Sequence, residues 1–228
     1  MPEEQLSIFD IFKIGIGPSS SHTLGPWRAA QQFIEELETR GLFADVIHIS
    51  ISLYGSLAKT GVGHGTDVAI LLGLSGDDPV TIAVDSILPK FERIKEGGIL
   101  KLGGKQDIFF NYPEDLRFLL SESLSYHPNG MTLRALTLGG EEYTESYYSI
   151  GGGFVVKGSE SSANHSKSLT VADSPYPIYT SLDLIHYHKS TGKQISEIVK
   201  SNELAYRDER TIAEGIISII EVMRDSVY

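Results

Sequence analysis

The 228-residue sequence contains no cysteine. Disulfides, thiol nucleophiles, cysteine-ligated zinc and cysteine-ligated iron–sulfur clusters are therefore beyond what its own side chains can build. Positive charge is scarce as well. There are 19 Lys+Arg against 30 Asp+Glu, which gives a formal net charge of −11 and a pI near 5.0. This balance argues against a nucleic-acid or anionic-membrane partner, since both require a concentrated basic surface. No apolar run approaches the ~18 residues of a membrane span. The N-terminal MPEEQLSIFDIF is acidic and lacks a long apolar core, so it does not read as a signal peptide. The expectation is a cytoplasmic protein with no nucleic-acid and no membrane partner. Apolar content of 41% is enough for a core, and the length allows one large domain or one domain with a smaller piece.

Glycine is abundant: 23 of 228 residues, roughly 10% against a usual ~7%. It clusters at 15–25, 55–65, 97–104, 139–140 and 151–153. Pro26 suits a first helical position, and Ala29, Ala30, Phe33, Ile34 and Leu37 recur at helical spacing, with Gly41 as a stop. A strand over 46–54 would place Ile47, Ile49, Ile51 and Leu53 on one face and His48, Ser50, Ser52 and Tyr54 on the other. A short helix capped by Thr66 or Asp67 follows, then a further helix over 86–97. Gly103-Gly104 and Gly139-Gly140 each separate two strand-like runs, a hairpin signal. The mixture lacks steady βαβ alternation, so the fold class is α+β, with a mixed or antiparallel sheet and packed helices. Residues 157–180, rich in serine, threonine and proline, read as a linker. Beyond it 181–228 is helical: Ser181 caps a first helix, Gly192 ends it, and Ile212, Ile216, Ile219, Ile220, Met223 and Val227 form a later apolar stripe.

Two segments can carry chemistry. In Gly15–Gly25 the run Ser19-Ser20-Ser21-His22-Thr23 offers hydroxyls and closely spaced N–H groups ahead of a helix, which suits a carboxylate or phosphate. A capping loop explains the same composition. It is not a Walker A loop, because no Gly-Lys-Ser/Thr follows. In Gly61-Val62-Gly63-His64-Gly65-Thr66-Asp67 the histidine is flanked by glycines, so its ring is expected to be accessible and able to act as a base near neutral pH. Asp67 can orient it; an exposed loop histidine is the plain alternative. His127-Pro128-Asn129-Gly130 reads mainly as a turn. His186 and His188, two apart on a helix, do not share a face, and with Asp183 they make no recognisable metal site.

The string SIFDIFKIGIGPSSSHT at 7–23 is similar to the start of the bacterial iron–sulfur L-serine dehydratases (L-serine deaminases). The likeness continues through Tyr54-Gly55-Ser56-Leu57-Ala58, Gly61–Asp67, Asn129-Gly130-Met131 and 147–154. It implies a substrate-binding domain over 1–156, resembling the regulatory domain of phosphoglycerate dehydrogenases, then the linker 157–180 and the helical start of a catalytic domain at 181–228. The family's reaction is the lyase conversion of L-serine to pyruvate and ammonia, a step of amino-acid catabolism toward gluconeogenesis. Its [4Fe–4S] cluster is held by cysteines of the catalytic part, where an open iron polarises the substrate hydroxyl. Carried onto this sequence, the resemblance implies His64 as base. It implies Ser19, Ser20, Ser21, His22, Thr23, Gly65, Thr66, Asp67 and Asn129 as substrate-binding residues. It also implies that L-serine, a cysteine-bearing catalytic domain or subunit and a second copy of the chain are partners, and that the chain alone is inactive. A non-catalytic module that binds serine or another small carboxylate is the competing expectation.

Overall fold

A computed structural model describes residues 7–160 and 174–227. They fall into two compact units, one within Gly15–His165 and the other joining Met1–Ile14 to Ser166–Tyr228. Elements are numbered along the chain. A four-residue helix, α1 (Ile8–Ile11), belongs to the second unit.

The first unit is α+β. After a π-helical turn at Ser20–Leu24 come α2 (Gly25–Thr39), β1 (Val46–Tyr54), α3 (Gly55–His64), α4 (Thr66–Leu74) and α5 (Val84–Gly97). The strands β2 (Ile99–Leu102), β3 (Gln106–Phe109), β4 (Leu116–Leu119), β5 (Gly130–Thr137), β6 (Glu142–Gly151) and β7 (Phe154–Lys157) follow. The main sheet has the order β4-β1-β5-β6-β7; β4 runs parallel to β1 and every other pairing is antiparallel. Strands β2 and β3 form a separate ribbon, and both Gly-Gly pairs lie at hairpin turns as the sequence predicts.

Helix α2 buries Trp27, Ala29, Ala30, Phe33, Ile34 and Leu37. Phe33 stacks on Tyr143 and meets Tyr147 edge-on, with ring centroids 5.6 and 6.5 Å apart. Each such fully buried large side chain is worth about 1.5–3 kcal/mol relative to exposure. Helix α4 is buried nearly all round and crosses close to α2 at Gly73, where a Cβ would stand 2.6 Å from the Trp27 carbonyl oxygen and 2.8 Å from Ala30 Cβ. The crossing requires a residue without a side chain.

Strand β1 corrects the sequence reading at one end. Ile49, Ile51 and Leu53 face the core, but Ile47 is 44% exposed and Val46 is buried in its place. A register shift between Val46 and His48 breaks the alternation. A second correction concerns the glycine-rich stretch at 61–65: residues 61–64 are the last turn of α3, and α4 begins one residue after Gly65. Neither Thr66 nor Asp67 caps α4; Gly65 occupies that position and both side chains bond elsewhere.

The second unit contains α1 with α6 (Ser181–Thr191), α7 (Ile195–Glu203) and α8 (Glu209–Asp225). Thr180, not Ser181, caps α6, through a reciprocal box with Asp183. Those hydrogen bonds from Tyr179 and Thr180 hold the Asp183 carboxyl below its ordinary range. Glu203, only 3% exposed, is the hub of this unit. Its carboxylate accepts from Ser7 Oγ at 3.0 Å, the Ile8 amide at 2.8 Å and Arg207 at 2.7 Å. Phe9 packs over Gly215, with the Arg207 guanidinium 5.0 Å from its ring centre. On α8, Ile212 is buried, whereas Ile216, Ile220 and Met223 stand open, Ile220 at 47%. Of the expected linker, 161–173 lie outside the described residues. At its edges Ser159 donates to Glu145 at 2.8 Å and the Ser174 hydroxyl lies 2.7 Å from that of Tyr206. No helix among the described residues is long and apolar enough to cross a membrane.

Candidate functional site

Strand β1 passes directly into α3. Gly55, at the joint, has φ +53°, and a Cβ there would run into the Pro128 carbonyl oxygen. Glycine is required by both the backbone conformation and the close approach. The joint is fastened by two amides: Gly55 donates to Glu122 O at 2.9 Å and Ser56 to Pro128 O at 2.8 Å. The 127–130 turn is in turn fixed to β6. Asn129 Nδ2 donates to Ser149 O at 3.1 Å, and the Ser149 amide donates to Asn129 O at 3.0 Å. Ser149 lies against Gly25 at the start of α2, where any side chain would displace it. The serine turn at 19–23, the head of α3 and the Asn129 turn are thereby gathered at one end of the sheet.

Within this gathering the structure brings His22 and His64 together, their ring centroids 4.9 Å apart and tilted by 36°. His22 is held at both nitrogens, Nδ1 at 3.0 Å from Ser21 Oγ and Nε2 at 3.1 Å from Ser56 Oγ. Two threonine bonds stitch the segments from opposite sides: Thr23 Oγ1 donates to His64 O at 3.1 Å, and Thr66 Oγ1 donates to His22 O at 2.6 Å. Ser19 receives the His22 amide at 3.4 Å, a capping bond that shapes the turn. Burial, with His64 as a second contribution, moves the His22 pKa below its ordinary 6.5, so its neutral form dominates near pH 7.

His64 Nδ1 lies 2.9 Å from the Thr60 carbonyl oxygen, one turn back on α3. A carbonyl only accepts, so Nδ1 carries the proton in this bond. The neutral ring then keeps its lone pair on Nε2, oriented by a backbone contact independent of side-chain rotamers.

Of the residues singled out in the sequence, Ser19, Ser21, His22, Thr23, His64, Gly65, Thr66 and Asn129 are built into this assembly. Ser20 is exposed on the outside of the turn. Asp67 departs from the reading in which it orients His64. It is 5% exposed and accepts from the Tyr112 hydroxyl at 2.8 Å, a bond that together with burial raises the Tyr112 pKa. Ser56, Thr60 and Ser149 were not singled out. Ser56 stands in the Tyr54–Ala58 motif, but the Thr60 contact uses only its carbonyl, which leaves no trace in side-chain identity. His188, set aside as a metal ligand, donates from Nδ1 to the Lys193 carbonyl at 2.8 Å.

The donor set does not fit a cysteine-held iron–sulfur cluster. The chain has no cysteine, and among the described residues no three His, Cys, Asp or Glu side chains converge as metal ligands.

The first unit is thus an α+β domain in which a hydroxyl-lined turn lies against a pair of histidines. Residues 7–160 match the family described as serine dehydratase beta chain, and the chain belongs to that family. It is 44% identical over 225 residues to an L-serine dehydratase of Streptomyces coelicolor, covering 97% of this chain and 49% of that protein. It is 40% identical over 223 residues to L-serine dehydratase 2 of Escherichia coli, covering 97% and 48%. With the L-serine dehydratase of Helicobacter pylori it shares 37% over 203 residues, covering 89% and 44%. The chain spans about half the length of the curated relatives it matches.

Proposed function

We propose that this chain is the substrate-binding part of an L-serine dehydratase and that it supplies the base for removal of the Cα proton. The observation that carries the reading is the His64 Nδ1 bond to Thr60 O, which leaves Nε2 as the free acceptor beside the serine turn. In the proposed reaction Nε2 takes the Cα proton of L-serine. The negative charge that develops spreads onto the substrate carboxylate, where hydroxyl and N–H donors of Ser19–Thr23 stabilise it. His22, kept neutral and held by Ser21 and Ser56, positions these donors and keeps a second positive charge away from the base. Loss of the proton and the β-hydroxyl yields water and aminoacrylate, whose hydrolysis gives pyruvate and ammonia. Activation of the hydroxyl falls to a cysteine-bearing catalytic part that this sequence does not contain, so the chain by itself does not turn over serine. The same reading includes a cytoplasmic location and assembly with a further copy.

The test uses this chain joined to a cysteine-bearing catalytic half. His64→Ala should lower turnover by about 10²–10⁴-fold, the usual range for a general base, while L-serine still binds. Turnover within a few-fold of the unchanged protein would overthrow the assignment. Calorimetry with L-serine on this chain alone separates a half-site from a self-sufficient regulatory module, since the module should bind tightly without a partner.

A further inference from the structure

Arg28 follows Leu24 by one helical turn, so the two share a face of α2. That face lies against the Gly151–Gly153 turn between β6 and β7. A Cβ on Gly153 would stand 2.7 Å from Leu24 Cδ2 and 3.9 Å from Arg28 Nε. Arg28 Nε is buried, and among the described residues nothing accepts a hydrogen bond from this guanidinium or pairs with its charge.

In a chain of net charge −11 this is anomalous. Arg134, Arg207 and Arg210 have glutamate partners, and Arg40 covers the ring of Tyr143. Arg117 and Arg224 are exposed to water. Arg28 is only partly exposed and has no such partner for its buried Nε, and a guanidinium does not shed its proton to relieve the cost of that burial.

The surroundings of Arg28 supply further unused donors. Gly151, Gly152 and Gly153 have φ of +101°, +59° and +76°, a conformation that ordinary side chains resist. The amides of Gly152 and Gly153 have no backbone acceptor among the described residues. The hydroxyl of Ser149, fully buried against the first residue of α2, also lacks a partner. A positive charge, free amides and the positive end of a 15-residue helix therefore occupy one place.

We propose that Arg28 and the Gly151–Gly153 turn form a subsite for the carboxylate of a small free ligand, built from residues other than the histidine pair. One planar guanidinium matches a single negative charge shared by two oxygens, whereas a doubly charged phosphate would find one cation in an acidic protein.

The experiment follows the Nε–H resonance of Arg28 in the nitrogen-15-labelled chain, assigned by its loss in Arg28→Lys. L-serine, acetate, serinol (the carboxyl replaced by hydroxymethyl) and inorganic phosphate are titrated separately. Acetate and L-serine should shift the resonance saturably and serinol should not. Calorimetry should show carboxylate affinity about tenfold weaker in Arg28→Lys and at least as weak in Arg28→Gln, as expected for loss of a two-point charged hydrogen bond. Both variants should keep the amide spectrum of the folded chain. An unmoved resonance with both carboxylates, a shift with phosphate alone, or unchanged affinity in Arg28→Lys would each overturn the subsite. L-serine that moves the amides of 19–23 but not Arg28 would remove this subsite and leave the proposed serine site. Acetate that moves Arg28 while L-serine moves neither histidine would do the reverse.

Discussion

Gly73→Ala sets two opposing effects against each other at the crossing of α2 and α4. Gly73 is helical, so alanine gains about 0.8–1.0 kcal/mol of helix propensity. The new methyl, however, would lie 2.6 Å from the Trp27 carbonyl oxygen and 2.8 Å from Ala30 Cβ, against the 3.5–4.0 Å optimum for such contacts. Neither obstacle can rotate away, because one is backbone and the other a Cβ. Helix α2 must retreat by about 1 Å, which loosens the contacts of Trp27 and Ala30 together, and such overpacking costs about 1–3 kcal/mol. With rigid obstacles the upper half of that range applies, so the net effect is a destabilisation of about 1–2 kcal/mol. The reporter is built in. Trp27 is the single tryptophan, it is 0% exposed, and its indole N–H donates to Asp77 O at 2.8 Å. Urea unfolding followed by its emission should show a lower midpoint and a red-shifted native spectrum. Gly63→Ala is the control, helical but with nothing within 4 Å of the added Cβ, and should be neutral or more stable by up to about 1 kcal/mol. A Gly73→Ala protein as stable as the unchanged chain would refute the reasoning.

The remaining predictions concern the site and the helical unit. His22 has a folded pKa below 6.5, so the unfolded chain binds its proton first as pH falls. Its contribution to stability is whole above pH 6.5 and declines below it, down to the folded pKa; an imidazole C–H titration with a midpoint at or above 6.5 would contradict this. Glu203→Ala strands Arg207 and withdraws the acceptor of Ser7 and Ile8, and should cost about 3 kcal/mol, near the low end for a broken buried pair because Arg207 is 28% exposed. Proteolysis within 7–14 should quicken in that variant, and an unchanged digestion pattern would count against it. Replacing Ile216 and Ile220 on α8 by glutamate should shift any self-associated chain toward monomer in sedimentation, since both lie open on one face.

What the sequence disclosed follows from the range of the interactions involved. The stripe of α2 and the Gly-Gly hairpins are local, and the structure carries them. Ile47 misled because a bulge is made by the partner strand, not by the alternation itself. The turn of α3 at 61–64 is helical despite its glycines, since Gly61 packs on Phe118 and Thr66, a tertiary contact that outweighs propensity. Strand β4 has four residues and joins β1 in parallel, so no hairpin signal announces it. The Ser7–Asp10 capping box closes within four residues, but the buried glutamate that accepts from the Ser7 hydroxyl comes from 196 positions away, which no local pattern announces. At the site, the motifs flagged both histidines, yet their 4.9 Å approach depends on threonine bonds spanning 41 and 44 positions.

The direct passage of β1 into α3 has a thermodynamic consequence. Tyr54 ends the strand and Gly55 starts the helix, with no intervening loop, and the serine turn likewise continues into α2. His22 and Ser56 therefore ride on the same rigid pieces that carry Trp27 and Leu53 in the core. A ligand arriving there meets groups whose freedom was lost when the protein folded, so little ordering remains to be done on binding. Substrate preference at such a place changes by exchanging side chains; a change in its shape would have to travel through the core.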